Sequence, residues 1–490
     1  MNLKEYNFIL EKKYIAPYHF VKEHTILPID EINSKVIIAI SNDSNYEAIN
    51  EMRLILNKEI ETKLFLKEEI EEAIEFCYRK KTKVEINNTE ILKNNSKDNF
   101  DGYDLLENEE NEAIKFLNST ILDAISQKAS DIHFEPFDDN LLIRFRIDGI
   151  LQKRSSTLSS YSNQIITRLK VMSKLDIAET RLPQDGRIKL LINKREIDFR
   201  LSTIPTTFGE RIVLRILDKK NIILGLENLS IKEKVYKLIK EMISFSEGII
   251  LVTGPTGSGK TTTLYSAISD LNSSTLNIMT IEDPVEFKLN NIAQISINPK
   301  INLTFSKGLR HILRQDPDVI MIGEIRDSET AQIAIQSSLT GHLVLSTLHT
   351  NDAPSAIVRL SDMNIESYLI SSSIIGIIAQ RLVRKLCSHC KKSYSPTKEE
   401  LKILNMDVEI LYKPKGCEHC FQTGYLGRTG IYEIMKMNPK IKKQILKNLD
   451  SEAIKETLDK DFIDLKSYGL DLAKDGITSI GEVLRICKNS

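Results

Sequence analysis

The stretch Gly254-Pro255-Thr256-Gly257-Ser258-Gly259-Lys260-Thr261 fits G-x-x-x-x-G-K-[ST] without a gap, and no other feature of the chain restricts its fold as strongly. Ile249 to Val252 form a short apolar run rich in β-branched residues, which reads as a buried strand. The glycines let the backbone curl so that successive N–H groups point inward as an anion nest. A helix opening near Lys260 turns the positive end of its dipole on the same anion. The candidate nucleotide-binding residues are therefore Gly254, Pro255, Thr256, Gly257, Ser258, Gly259, Lys260, Thr261 and Thr262. Lys260 reaches for the β- and γ-phosphates of ATP, and the Thr261 hydroxyl is the candidate ligand of Mg²⁺.

A strand, a turn and a helix of this kind belong to a larger alternation. From the loop to about Leu386, apolar strands alternate with helical patterns, as in an α/β parallel sheet wound with helices. Ser230 and Glu233 have capping-box spacing, so a helix with an apolar stripe from Val235 to Ile243 is expected to open there. Upstream, about 112–218 reads as a second unit: a helix, then a strand in which Arg144 and Arg146 alternate with Ile143, Phe145 and Ile147, then two further strands. Residues 82–111 turn polar and read as a flexible linker. The first eighty residues form a separate small unit: a strand at 34–40 and amphipathic helices at 46–57 and 67–80, with Cys77 on the apolar face of the second.

Two further strands end in acids. The run 277–286 closes on Glu282, Asp283 and Glu286, and 318–327 closes on Gly323-Glu324. Carboxylates at the ends of parallel strands can hold Mg²⁺ or orient an attacking water. Gly323 stands where many P-loop proteins carry a metal-binding Asp, so Glu324 is assigned to polarising the water, with Glu282 as a second catalytic candidate. The plainer reading is that these acids cap helices, which suits Asp283 before Pro284. A third apolar run, 340–352, is bracketed by His342 and His349. His342 joins the catalytic candidates, and one or both histidines are candidates for sensing the γ-phosphate.

Cys387, Cys390, Cys417 and Cys420 form two C-x-x-C knuckles, a spacing that folds four thiolates around one Zn²⁺. A redox dithiol is the alternative, and the glycines and basic residues after the second knuckle also suit a nucleic-acid zinc ribbon. Six cysteines in 490 residues are too few for a disulfide scaffold, which points to a reducing compartment. The net charge of −1 and the lack of an aromatic-rich basic stripe argue against a nucleic-acid motor. No apolar run approaches membrane-spanning length.

Together GPTGSGKT, TIEDPVE, GEIRD, GHLVLSTLHTND and the paired knuckles resemble the secretion ATPase superfamily of type II secretion and type IV pilus assembly. ASDIHFEP, RFRIDG, RLPQDGRI and STIPTTFGERIVLRIL extend the resemblance back to about Glu112, and residues 1–80 share it weakly. The resemblance implies a RecA-like P-loop domain at 230–386, a PAS-like α+β domain at 112–220 and a zinc module at 387–428. It also implies a helical region at 429–490, an adaptor at 1–80 and a linker at 81–111. It implies a homo-hexamer, ATP bound between two domains, and arginine contacts to the nucleotide, for which Arg187, Arg200 and Arg211 are the candidates. It implies a cytoplasmic location at the inner membrane, reached through the cytoplasmic part of an inner-membrane assembly protein that docks on 1–80. The work would be done on an inner-membrane platform protein. Retraction ATPases of twitching pili and short competence ATPases generally lack the cysteine module. Many pilus-assembly ATPases have a longer N-terminal region, and no R-L-G motif of the cyclic di-GMP binders occurs in the first eighty residues. The type II secretion ATPase is therefore the expectation, with pilus extension as the alternative.

Overall fold

In a computed structural model of the chain, the strands expected from alternation build two seven-stranded sheets. The structure describes residues 18–488 except 33–34, 43–47, 51, 54–58, 80–102, 105–110, 193–194, 218–223, 273, 406–407, 448 and 460–461. The chain divides into two units, 1–99 and 100–490. The first holds a three-stranded sheet of β1 (Ile26–Ile32), β2 (Lys35–Ile40) and β3 (Glu59–Leu64), in which β1 and β2 form a hairpin and β3 runs parallel to β2. Helix Lys67–Arg79 and strands β1 and β2 bury Ile70, Ile74, Ile29, Ile38 and Val36 together. Parts of the expected 46–57 helix, and the Cys77 side chain, lie outside the described residues.

The second unit opens on a sheet of order β4-β8-β9-β10-β5-β6-β7. Its strands are β4 (Tyr103–Asp104), β5 (Asp131–Pro136), β6 (Asn140–Ile147), β7 (Ile150–Leu158), β8 (Gln184–Ile192), β9 (Arg195–Thr206) and β10 (Gly209–Leu217). Helices Glu112–Ser126 and Ser159–Met172 share one core with a face of this sheet, burying Leu117, Ile121, Ile165 and Leu169 with Ile143, Phe145, Phe199 and Leu214. Period-two alternation then puts Arg144 and Arg146 of β6, Arg187 of β8, Arg200 of β9, and Arg211 and Arg215 of β10 on the opposite face. β4 falls inside the stretch expected to be linker: Tyr103 and Asp104 pair with Leu190 and Leu191 of β8, so the polar segment is anchored to the sheet edge at this point. The rest of 81–110 lies outside the described residues.

The phosphate-loop sheet has the order β13-β12-β14-β15-β11-β16-β19. It comprises β11 (Gly248–Thr253), β12 (Ile278–Glu282), β13 (Ala293–Ser296), β14 (Val319–Ile322), β15 (Leu343–Leu348), β16 (Ile374–Leu386) and β19 (Tyr425–Lys436). All neighbours pair parallel except β16 with β19. Between those two strands a ribbon, β17 (Lys392–Tyr394) with β18 (Leu411–Lys413), carries the cysteine knuckles at its base. β11, β14 and β15 are buried at every position, which is why they read as continuous apolar runs rather than alternating ones.

The capping box at Ser230 does not form. Ser230 is left-handed and ends a short 3-10 helix, and the following helix, Glu233–Ile243, starts from Lys232. The amide of Lys232 instead donates to the hydroxyl of Tyr468 at 2.8 Å, a long-range partner that local spacing does not reveal.

Candidate functional site

The phosphate loop leaves the C-terminal end of β11 and runs into helix Lys260–Leu271. Gly254 and Gly259 have φ of +151° and +89°, and each presses on Gln380 of β16. A Cβ on Gly254 would overlap the Gln380 carbonyl oxygen, and one on Gly259 would lie 2.7 Å from Gln380 Nε2. Position 254 therefore requires glycine for space as well as for torsion, and position 259 for torsion. Lys260 is the first helical residue and is buried; its Nζ donates to the carbonyl oxygens of Gly254 (2.7 Å) and Pro255 (3.1 Å). Burial, with Arg381 nearby and only partly opposed by Glu324, lowers its pKa to about 8. A bound phosphate would favour the charged form again.

A cleft beside the loop is lined by Thr261, Leu264, Glu282, Asp283, Pro284, Glu286, Met321, Gly323 and Glu324. The three apolar runs converge here because parallel strands deliver their C-terminal ends to one edge. Glu282 closes β12 and is buried. It accepts from the hydroxyls of Tyr265 and of Thr280 (2.6 Å) and from Gln294 Nε2 (3.2 Å). Glu324 follows β14, is 17% exposed, and pairs with Arg326 and with His349 Nε2 at 3.3 Å. Gly323 is tight: a Cβ there would lie 3.3 Å from Glu282 Cα and from the Ile281 carbonyl. The helix-cap reading of Asp283 is not realised, because no helix follows Pro284 until a 3-10 turn at Pro299–Ile301.

The two histidines separate. His349 follows the C-terminal end of β15, on the cleft edge beside Glu324. His342 precedes β15, and its carbonyl accepts the amide of Gly248, the first residue of β11. In a parallel, in-register pair this places His342 at the opposite edge of the sheet, a strand length of about 20 Å from the loop. Its Nδ1 lies 2.9 Å from the Ser337 carbonyl, so it closes the turn into β15. The expectation of His342 as a catalytic group within its own chain is corrected on this ground.

The arginine candidates also part company. Arg200 reaches Glu286 on the cleft lip at 3.5 Å. Arg187 is exposed and stands opposite Arg200 in the β8–β9 register. Arg211 is engaged within its own sheet: it shares Glu135 with Arg144, both at 2.6 Å, and contacts His133 at 3.3 Å. Sequence reasoning missed Tyr265, Thr280 and Gln294, which hold Glu282, and Gln380 and Arg381, which lie against the loop. Two polar residues in succession in the apolar run 374–383 were the available signal for the last pair.

The four knuckle thiols lie within 4.8 Å of one another. Sγ–Sγ separations are 3.8 Å for Cys387–Cys417, 3.7 Å for Cys390–Cys420 and 3.6 Å for Cys417–Cys420. Tetrahedral Zn–S bonds of about 2.3 Å put sulfurs about 3.8 Å apart, so the donor set fits zinc. The amides of Cys417 and Gly424 donate to Cys420 Sγ at 3.2 Å each, as a thiolate requires. His389 and His419 are exposed and meet edge to face, ring centroids 4.1 Å apart, outside the cluster. Among the described residues, no helix is long and apolar enough to cross a membrane.

Comparison with known proteins agrees with this geometry. Residues 107–485 match the family model described as "Type II/IV secretion system protein", and residues 11–83 match the MshEN domain. The chain is 49% identical over 391 residues to the type II secretion system ATPase E of Vibrio cholerae, covering 79% of this chain and 78% of that one. It is 41% identical over 483 residues to the type IV pilus assembly ATPase PilB of Pseudomonas aeruginosa, covering 96% and 85%. Among solved structures, the DotB ATPase of Yersinia pseudotuberculosis shares the fold, with a TM-score of 0.59 at 24% identity over 78% of this chain and 95% of that one. A chain with this phosphate loop, this acidic sheet edge and a family match across most of its length belongs to the type II/IV secretion system protein family.

Proposed function

We propose that this protein is the ATPase of a type II secretion machine, hydrolysing ATP to drive assembly of a pseudopilus. The observation that carries the reading is the meeting of Lys260, Glu324 and His349 at one edge of a parallel sheet, in a chain 49% identical to a protein named as a type II secretion ATPase. The loop amides and Lys260 bind the phosphates. Thr261 would hold Mg²⁺, which would supply charge neutralisation on the β- and γ-oxygens. Glu324 orients the attacking water, Glu282 braces the strand end beside it, and His349 reports on the γ-phosphate. Arg200 and Arg187 supply positive charge to the transferring phosphoryl group from the arginine-bearing sheet.

The working units are 112–220, 230–386, 387–428 and 429–490, assembled as a homo-hexamer, and the work stroke turns the arginine sheet against the phosphate-loop sheet. Residues 1–80, tethered by 81–111, dock on the cytoplasmic part of an inner-membrane assembly protein, and the ring acts on an inner-membrane platform protein from the cytoplasmic side. Pilus extension is the second reading, kept by the 41% identity to PilB over 96% of this chain.

Turnover of the purified full chain tests the enzyme. Lys260→Ala should abolish nucleotide binding or turnover, and Glu324→Gln should bind ATP yet hydrolyse it poorly; normal turnover in Glu324→Gln removes the role given to Glu324. Deleting 1–80 should leave basal ATPase activity and release the protein from the membrane fraction. Retention at the membrane with loss of the ring would assign 1–80 to assembly instead.

A further inference from the structure

Strand β16 is apolar from Ile374 to Ala379 and then places two polar side chains in the interior: Gln380 and Arg381 are 2% and 7% exposed. A strand in this position needs neither for its core. A buried guanidinium costs desolvation unless its donors are met, so its contacts indicate why it is there.

Gln380 serves the helix end of the phosphate loop. Its Oε1 accepts from the hydroxyl of Thr263, in the first turn of the loop's helix, at 2.7 Å, and its amide rests against Gly259. Arg381 serves the strand end. Nη1 donates to the Gln380 carbonyl at 3.0 Å and would lie 3.1 Å from a Cβ on Gly254. Nη2 donates to the carbonyl oxygen of Asn351 at 2.7 Å and approaches its Oδ1 at 3.3 Å. Asn351 belongs to the turn that follows His349. A second link holds the same turn to the end of β11, where the phosphate loop begins: Thr350 N donates to Thr253 Oγ1 at 2.9 Å, and the two hydroxyls are 2.7 Å apart.

We propose that Arg381 is a positioning residue that ties the 349–352 turn to β16 where that strand packs against the phosphate loop, so that occupancy of the loop sets the placement of His349 beside Glu324. The guanidinium suits the task because its rigid fork spans two carbonyl groups at once; an ammonium on a flexible stem holds one. The inference rests on the nucleotide reading above.

The test uses the full zinc-loaded chain, ADP as the probe, and hydrogen exchange with the turnover assay. In the wild type, ADP should slow exchange both in the loop, 254–262, and in the turn, 349–352. In Arg381→Lys the loop should still be protected, with the ADP Kd within about threefold, while the turn loses its ADP-dependent protection; kcat should fall by about tenfold with KM nearly unchanged. Equal protection of the turn in Arg381→Lys and wild type overturns the proposal. So does a parallel loss of ADP binding, kcat and Tm, which would make Arg381 a structural residue only. Thr253→Val removes the hydroxyl that makes the second link and should keep most of the coupling; loss of the coupling there, with Arg381 intact, also overturns the proposal. If ADP protects neither segment in the wild type, the nucleotide reading fails, and this inference with it.

Discussion

Glu433 is a carboxyl group in a place where the charged form is disfavoured, and replacing it should stabilise the protein in one pH range only. It lies in β19, is 6% exposed, and accepts the amide of Ala353 at 2.8 Å. Burial raises its pKa from 4.5 to about 7; the nearby carboxylates Asp352 and Asp464 add to the rise, and the amides of Ala353 and Leu465 oppose it. Lys455 pairs with Asp352 at 3.1 Å, and Arg381 lies close enough to feel the Glu433 charge. The folded chain therefore holds this proton more tightly than the unfolded chain. Stability from the group is fully present below 4.5 and is lost as pH rises through about 7. Across that window the loss is about 3 kcal/mol, at about 1.36 kcal/mol for each pKa unit. Glu433→Gln keeps a carbonyl oxygen for Ala353 and carries no charge. The expected result is a Tm near that of the wild type at about pH 4.5 and, at about pH 8, a Tm higher by about 6 °C, using about 2 °C per kcal/mol for a unit of this size. Thermal unfolding of both proteins across that range is the assay. A Tm difference that does not change with pH, or a variant less stable than wild type at pH 8, would falsify the argument.

Three other outcomes follow from the described contacts. Metal analysis should find about one zinc per chain, and Cys390→Ser should lose it and loosen the β17–β18 ribbon; an unchanged metal content in Cys387→Ser/Cys420→Ser rules the site out. Lys170 and Glu210 form a buried ion pair at 2.6 Å, so Lys170→Met should cost about 3–5 kcal/mol by stranding Glu210, and Lys170→Met/Glu210→Leu should recover most of it; equal costs in urea unfolding would show that the pair is not coupled. Glu482 carries the opposite pH sign to Glu433. Burial would raise its pKa, but hydrogen bonds from Arg485 and Arg384 outweigh it and hold the pKa at about 2, so its stabilisation is present above 4.5 and lost as pH falls toward 2. Glu482→Gln should lower Tm at neutral pH and approach the wild type in acid; a constant difference would refute the pairing.

The phosphate loop, the knuckles and the arginine-bearing strands were legible in the sequence because each depends on neighbours in the chain. Eight contiguous residues make the anion nest, two residues separate the cysteines of each knuckle, and period-two alternation alone puts Arg144 and Arg146 on the face opposite Phe145. The direction of the parallel sheet was also implicit, since ligands bind at the C-terminal ends of such strands; applied to the run 343–348, that rule separates His349 from His342.

The remaining features depended on partners far away in sequence. Ser230 had the spacing of a cap, yet Tyr468, 236 residues downstream of Lys232, supplies the hydroxyl that meets the helix entry. Arg211 and Arg200 lie on the same face of one sheet. Arg211 is taken up by Glu135 from β5, and Arg200 is left to face Glu286, so only the strand order decided which of them reaches the cleft. Gln380 and Arg381 resembled an interruption in an apolar run, and became supports of the phosphate loop when β16 paired beside β11. A local motif fixes torsions and short-range hydrogen bonds, whereas the partner of a buried polar group is set by which strands and helices pack together. That information is spread over the whole hydrophobic core and has no single place in the sequence.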